Sequence, residues 1–152
     1  MYILQSHNCS YIGMTNDFLK RWSQHNGYLK GGAKYTTKYK DWTPICIIDG
    51  FKTKSEAMQC EWKLKRKKGY YNRLKGLSYI LKHNKQWTSK SPLIESQDLT
   101  VYVVDEYKSL FTTPTKELVW FWIKLNILIV IMTKYIFVTG GVISGLGKGV
   151  TS

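Results

Sequence analysis

The sequence predicts an α+β domain, and three observations carry that reading. Two short runs rich in tyrosine and isoleucine lie either side of His7-Asn8-Cys9, which is a hairpin pattern. A continuous apolar run, Pro44-Ile45-Cys46-Ile47-Ile48, is bounded by proline and by Asp49-Gly50, as a buried central strand would be. Around that run lie segments with apolar residues three and four positions apart, carrying helix start and stop residues at their ends.

Taken in order, Tyr2 to Ser6 and Ser10 to Gly13 are the two hairpin strands. Asn16 or Asp17 then caps a helix whose Phe18, Leu19 and Trp22 are expected to face inward, and Gly27 ends it. Lys30 to Asp41 (KGGAKYTTKYKD) mixes glycine and lysine with threonines and tyrosines and reads as a loop. Ser55 is expected to cap a second helix, with Glu56 in the first turn, where a carboxylate suits the helix dipole. That helix runs to about Lys68, closing on Lys65-Arg66-Lys67-Lys68 and Gly69. A third helix spans Arg73 to His83, with Leu74, Leu77, Ile80 and Leu81 on one stripe. Leu99 to Val104 reads as a further strand, its flanks punctuated by Pro92 and Pro114.

The net charge of +13 is unevenly placed. Residues 1–90 hold 18 Lys/Arg and 5 Asp/Glu, whereas residues 91–152 hold 5 of each. The basic part is interleaved with Tyr35, Tyr39, Trp42, Trp62, Tyr70 and Tyr71. A basic domain attracts polyanions and releases counterions on neutralising phosphates, so nucleic acid is the first partner to consider, against a merely lysine-rich surface. Cys9, Cys46 and Cys60 are odd in number and widely spaced, which disfavours a disulfide framework and a metal cluster and fits a reducing compartment. Met1-Tyr2-Ile3-Leu4-Gln5 is too short an apolar run for a signal peptide. An intracellular location, cytoplasmic or nuclear, is therefore expected.

A candidate constellation follows from spacing. Arg21 lies ten residues after Tyr11, and His25 four after Arg21, so the two share a helix face. In the second helix, Glu61 recurs with Ala57, Met58, Leu64 and Lys65 at three and four spacings, on a stripe that also carries apolar residues. Burying an unpaired carboxylate costs several kcal/mol, so Glu61 needs a salt bridge or a metal ion. Hydrolysis of a phosphodiester needs an activated water, positive charge on the non-bridging oxygens and help for the leaving oxygen. Tyr2, Tyr11, Arg21, His25 and Glu61 provide a candidate for each role.

These residues carry a resemblance. YILQSHNCSYIGMTNDFLKRWSQHNGYLKGGAKYTTKY, continuing to WTPICIIDGFKTKSEAMQCEWKLK, resembles the GIY-YIG nuclease domain, in the branch that includes the structure-selective junction nucleases. The similarity covers about residues 2–85 and extends more weakly to about residue 110. It implies a small central antiparallel or mixed sheet of about three strands flanked by helices. It makes Tyr2 and Tyr11 the two motif tyrosines, Arg21 the phosphate-binding arginine, His25 the histidine that orients or relays protons, and Glu61 the ligand of one Mg²⁺ or Mn²⁺ ion. Gly13 would be the close-approach glycine. Gly13, Lys34, Tyr35, Lys38, Lys40, Lys65 and Arg66 are the expected DNA contacts. Only Met1 precedes Tyr2 and the family's glycine-isoleucine pair is absent there, so a clipped first strand is expected. No Cys/His zinc module follows, and the expectation is a stand-alone metal-dependent DNA endonuclease with no obligate protein partner, its substrate DNA, branched forms included. The alternative is a non-catalytic DNA-binding module on the same fold.

The nuclease-like part is expected to occupy residues 1–117, with a core of 1–85 and an extension of 86–117. Leu118 to Met132 is almost uniformly apolar, and 118–131 reads as a linker, partly read-through between two neighbouring genes. A membrane span needs about 20 apolar residues, which Leu118 to Val138 supplies only by including Lys124, Asn126 and Lys134, so no membrane role is expected. Met132 to Ser152 (MTKYIFVTGGVISGLGKGVTS) departs from the Walker A spacing and resembles the first residues of CTP synthase. It stops before a phosphate-binding helix could follow, so residues 132–152 are expected to form no functional domain.

Overall fold

The structure is a computed structural model in which residues 1–119 are described, and Met1–Leu118 form one compact unit. The expectations for residues 120–152, including most of the apolar linker and the CTP-synthase-like segment, lie outside the described residues.

The hairpin forms as β1 (Tyr2–Ser6) and β2 (Cys9–Gly13), paired antiparallel from Tyr2↔Gly13 to Ser6↔Cys9. Cys9 belongs to the strand rather than to the turn, which His7 and Asn8 make by themselves, His7 with φ 52°. On its other edge β1 pairs antiparallel with β3 (Thr43–Asp49). Met1 extends the pairing of β1 with β3 by one residue, since the amide of Ile48 donates to Met1 O at 2.8 Å and the N-terminal amine donates to Ile48 O at 3.0 Å.

The sheet has five strands among the described residues rather than about three, in the order β2-β1-β3-β4-β5. β4 (Thr100–Val103) joins β3 antiparallel, and the two-residue β5 (Lys116–Glu117) adds in parallel, which makes the sheet mixed. Leu118 is 7% exposed, and its amide donates to Val103 O at 2.9 Å, so it packs with this unit rather than starting a linker.

Among the described residues three α-helices flank the sheet: α1 (Phe18–His25), α2 (Lys54–Lys65) and α3 (Tyr70–His83). Cys60 and Leu64 of α2 and Leu74, Leu77 and Ile80 of α3 join Ile3, Ile12, Cys46, Ile48 and Val103 in one apolar core. Alternation along β1 turns Tyr2 and Leu4 to the face opposite Ile3, and Tyr2 there meets Phe18 and His25 of α1. The thiols of Cys46 and Cys60 are buried, and burial pushes both upward in pKa, Cys46 to about 12, so they are core residues.

Several local expectations are corrected. Leu19 is 36% exposed, because α1 is so short that the Trp22 and His25 face covers the sheet by itself. Asp17, of the two candidates, caps α1 by accepting from Lys20 N at 3.2 Å, and Gly27 follows the helix at φ +78°, a left-handed stop. The cap of α2 is Thr53, not Ser55: its Oγ1 accepts from Glu56 N at 3.2 Å, while Glu56 Oε2 accepts from Lys52 N at 3.0 Å. The Thr53-x-x-Glu56 pattern is close to a capping box. That helix ends at Lys65, and α3 starts at Tyr70, three residues before Arg73, entered through Gly69 at φ +81°. The 30–41 loop holds a 3-10 turn at Thr36–Lys38.

Candidate active site

The site grows from the register of the hairpin. Tyr2 sits opposite Gly13, and its ring lies across the glycine: a Cβ there would stand 2.5 Å from the Tyr2 hydroxyl oxygen. Gly13 is buried, so what it contributes is room for that hydroxyl rather than an exposed DNA contact. The hydroxyl reaches His25 Nε2 at 2.7 Å, and His25 Nδ1 reaches Thr36 Oγ1 at 2.8 Å. Thr36 in turn donates to Ala33 O at 2.9 Å.

The direction of this chain can be worked out from proton count. A hydroxyl carries one proton, and Thr36 spends its own on Ala33 O, so Thr36 Oγ1 accepts and His25 Nδ1 carries the hydrogen. Burial, helped by the nearby Arg21 charge, lowers His25 to a pKa of about 4, so the ring is neutral near pH 7. Nε2 therefore has a lone pair and no proton, and Tyr2 is the donor. Burial is also the largest of the effects that hold the Tyr2 hydroxyl well above the usual tyrosine pKa, with Tyr11 and Glu61 adding to it and Arg21 opposing. Tyr2 thus stays protonated and fixes His25.

Tyr11 is placed differently. It is half-buried, its ring centroid lies 4.6 Å from that of His25 and 6.3 Å from that of Tyr2, and its hydroxyl makes no protein hydrogen bond among the described residues. Of the two tyrosines, Tyr11 is the one a water or a phosphate can reach.

Arg21 reaches the same neighbourhood from α1. Its Nη1 donates to Gln24 Oε1 at 3.0 Å and to Gly31 O at 2.8 Å, which pins the stem. Both bonds use Nη1, and the guanidinium also hydrogen-bonds the Tyr2 hydroxyl, so the arginine is held at the site where it could meet a phosphate. Its charge bears on Tyr2 and His25 alike.

Glu61 is near enough to act on Tyr2. Its stripe is less apolar than the spacing suggested, since Met58 is 52% exposed. The carboxylate pairs with Lys65 at 2.9 Å; the Lys65 side chain is 57% exposed and that of Glu61 16%. A pair this exposed on the lysine side is worth at most about 1 kcal/mol, so it does not commit the carboxylate. Among the described residues no three His, Cys, Asp or Glu groups cluster as a metal cage. Mg²⁺ commonly takes one or two carboxylates and completes its shell with water and phosphate oxygens, a demand that Glu61 by itself can meet.

Of the expected DNA contacts, Lys34, Tyr35, Lys38, Lys40, Lys65 and Arg66 are all exposed. Arg66 lies 3.8 Å from the centroid of the exposed Trp62 ring. Trp42, one of the aromatics interleaved with the basic residues, is fully buried. It anchors the loop, with Nε1 donating to Thr36 O at 3.0 Å.

Spacing passed over two residues. Thr36 is fully buried and sets the tautomer of His25, although nothing separates it in sequence from its exposed neighbour Thr37. Arg73 donates through Nη1 to Ser10 Oγ at 2.9 Å and through Nε to Lys67 O at 2.9 Å, tying α3 to β2. Its place among the lysines of a basic segment gave no sign of this.

Comparison with known proteins agrees with the geometry. Residues 1–75 match the family described as the GIY-YIG catalytic domain. A structure-specific endonuclease subunit slx1 of Schizosaccharomyces japonicus is 48% identical over 52 residues, 34% of this chain and 19% of that protein. Similar subunits of Phaeosphaeria nodorum and Neurospora crassa are 45% identical over 65 residues and 42% over 69, covering 40% and 42% of this chain and 18% and 17% of theirs. The chain thus spans less than a fifth of the length of these relatives. Each is named as a subunit, so they lend no support to the expectation that no protein partner is needed. No helix among the described residues is long and apolar enough to cross a membrane. Residues 1–75, just under half of the chain, are thus similar to the GIY-YIG catalytic domain.

Proposed function

We propose that this chain is a metal-dependent DNA endonuclease that hydrolyses backbone phosphodiester bonds, with branched DNA as its substrate class. The observation that carries the reading is the buried Tyr2–His25–Thr36 chain with Tyr11 and the Arg21 charge beside it. Such an arrangement is wasteful for mere folding, because burying polar groups costs free energy that apolar side chains would not. The relatives' names, structure-specific endonuclease subunits, support the same class of substrate.

In this reading Arg21 binds the non-bridging oxygens and offsets the charge that grows on them during attack. Tyr11 takes the proton of the attacking water as its own hydroxyl proton passes to solvent. His25 and Tyr2 stay neutral and hold the ring face against which Tyr11 is set. The bond from phosphorus to the attacking oxygen forms as the bond to the 3′ oxygen breaks. Glu61 is the residue that would hold a Mg²⁺ or Mn²⁺ ion, which when bound supplies Lewis-acid polarisation of the phosphate and help for the leaving oxygen. Lys34, Lys38, Lys40, Lys65 and Arg66 contact neighbouring phosphates.

A nuclease assay on flaps, forks, junctions and plain duplex with Mg²⁺ tests this, comparing wild type with Arg21→Ala and Glu61→Ala. Cleavage of branched DNA that both substitutions abolish is expected. Tight binding with no cleavage by the wild type would favour the non-catalytic module, and cleavage that survives both changes would remove the assignment.

A further inference from the structure

The 30–41 loop carries more than phosphate contacts. Tyr35 and Tyr39 remain 43% and 39% exposed, although tyrosine rings usually bury most of their area when a core is near. Their centroids lie 5.6 Å apart, and Tyr35 stacks against Tyr11 at 6.4 Å with planes 20° apart. Both rings also lie against the buried Trp42, at 6.1 and 6.2 Å. The rings are therefore backed by the core and open to solvent, and they continue outward from Tyr11.

The same segment places Lys34, Lys38 and Lys40 on the surface. Aromatic faces set among cations match one kind of chemistry, an unpaired base whose backbone phosphates need neutralising. An apolar protein partner would find three lysines at this patch, and duplex DNA keeps its base faces stacked inside.

We propose that Tyr35 and Tyr39 form a stacking platform for an unpaired DNA base next to the scissile phosphate, and that this platform gives the domain its preference for branched over plain duplex DNA. The proposal rests on the nuclease reading for its account of where the scissile phosphate lies. Binding tests it apart from cleavage.

The experiment measures the affinity of the full chain, in EDTA, for fluorescent oligonucleotides by anisotropy. One is a fork with thymine arms and the other a blunt duplex of equal length. Tyr39→Ala and the Tyr35→Ala/Tyr39→Ala pair are compared with Tyr35→Phe/Tyr39→Phe. Stacking on one aromatic contributes about 1–3 kcal/mol per base, so the alanine pair is expected to weaken fork binding by roughly tenfold or more. Duplex affinity should stay within about twofold, and the phenylalanine pair should bind the fork as wild type does. A 2-aminopurine placed in the arm should be quenched by wild type and not by the alanine pair. Equal losses on fork and duplex, or no loss on either, would overturn the platform while leaving the nuclease assignment standing. Selective fork binding by a chain that never cleaves would uphold the platform and remove the nuclease reading.

Discussion

At Thr36, one hydroxyl governs the protonation of two other side chains. Its proton is used on Ala33 O, so its lone pair takes the Nδ1 hydrogen of His25 and leaves Nε2 to accept from Tyr2. Thr36→Val keeps the volume and removes the acceptor. The orphaned N–H should cost about 1–3 kcal/mol of stability, and cleavage should slow by roughly 10²-fold as the ring changes tautomer. Thr36→Ser should restore both. Nitrogen-15 chemical shifts of His25 read the tautomer directly, and a valine variant with the wild-type tautomer and rate would show that Thr36 does not set it. The His25 shift also has a stability consequence. Folded His25 takes its proton only near pH 4, whereas the unfolded ring takes one near 6.5. On acidification the unfolded state binds protons first, so stability should fall between those values, by up to about 3 kcal/mol, and level off below pH 4. Urea midpoints across that range should show the decline, and His25→Gln should remove most of it.

Among the elements, α1, the 30–41 loop and the start of β3 are joined at Trp42. Its carbonyl accepts from Trp22 Nε1 at 2.7 Å and Asn26 Nδ2 at 3.2 Å, its amide donates to Asn26 Oδ1 at 2.8 Å, and its indole holds Thr36 O. Ser6 adds a bond from its hydroxyl to Lys40 O. His25 and its threonine thus come from separate elements that share one anchor. Asn26→Ala should cost about 1–3 kcal/mol and speed hydrogen exchange at Thr36–Lys38 by at least tenfold relative to β1. Unchanged exchange there would mean that the loop is held elsewhere. This is also where sequence reading reaches its limit. The hairpin, α1 and β3 were legible because turn residues, an aspartate cap and an unbroken apolar run are local signals. Thr36 was not, because its burial depends on Trp42 arriving six residues later with its indole pointing back. Thr53 was readable from Thr53-x-x-Glu56, but Ser55 beside it offered a competing cap. β4 was seen as a strand, yet its place in the sheet was not, since pairing with β3 across more than fifty residues leaves no local mark. Glu61 was singled out for sharing a stripe with apolar residues, of which Met58 proved exposed, and Lys65 is the partner found for it.

At the scale of the whole molecule, charge and chemistry coincide. The 18 Lys/Arg and 5 Asp/Glu of residues 1–90 cover the same part of the chain that carries Tyr2, Tyr11, Arg21, His25 and Glu61. The apolar core on one face of the sheet leaves the other face to α1 and the loop, so the polar chain is assembled on a rigid support. In the proposed mechanism Tyr11 faces the scissile phosphate while Tyr2 holds His25. Single-turnover cleavage of a branched DNA in Mg²⁺ by Tyr11→Phe, with DNA affinity measured alongside, tests it most directly. A loss of roughly 10²–10⁴ in rate with affinity within about twofold of wild type is the predicted result. A Tyr11→Phe protein that cleaves at the wild-type rate would contradict it.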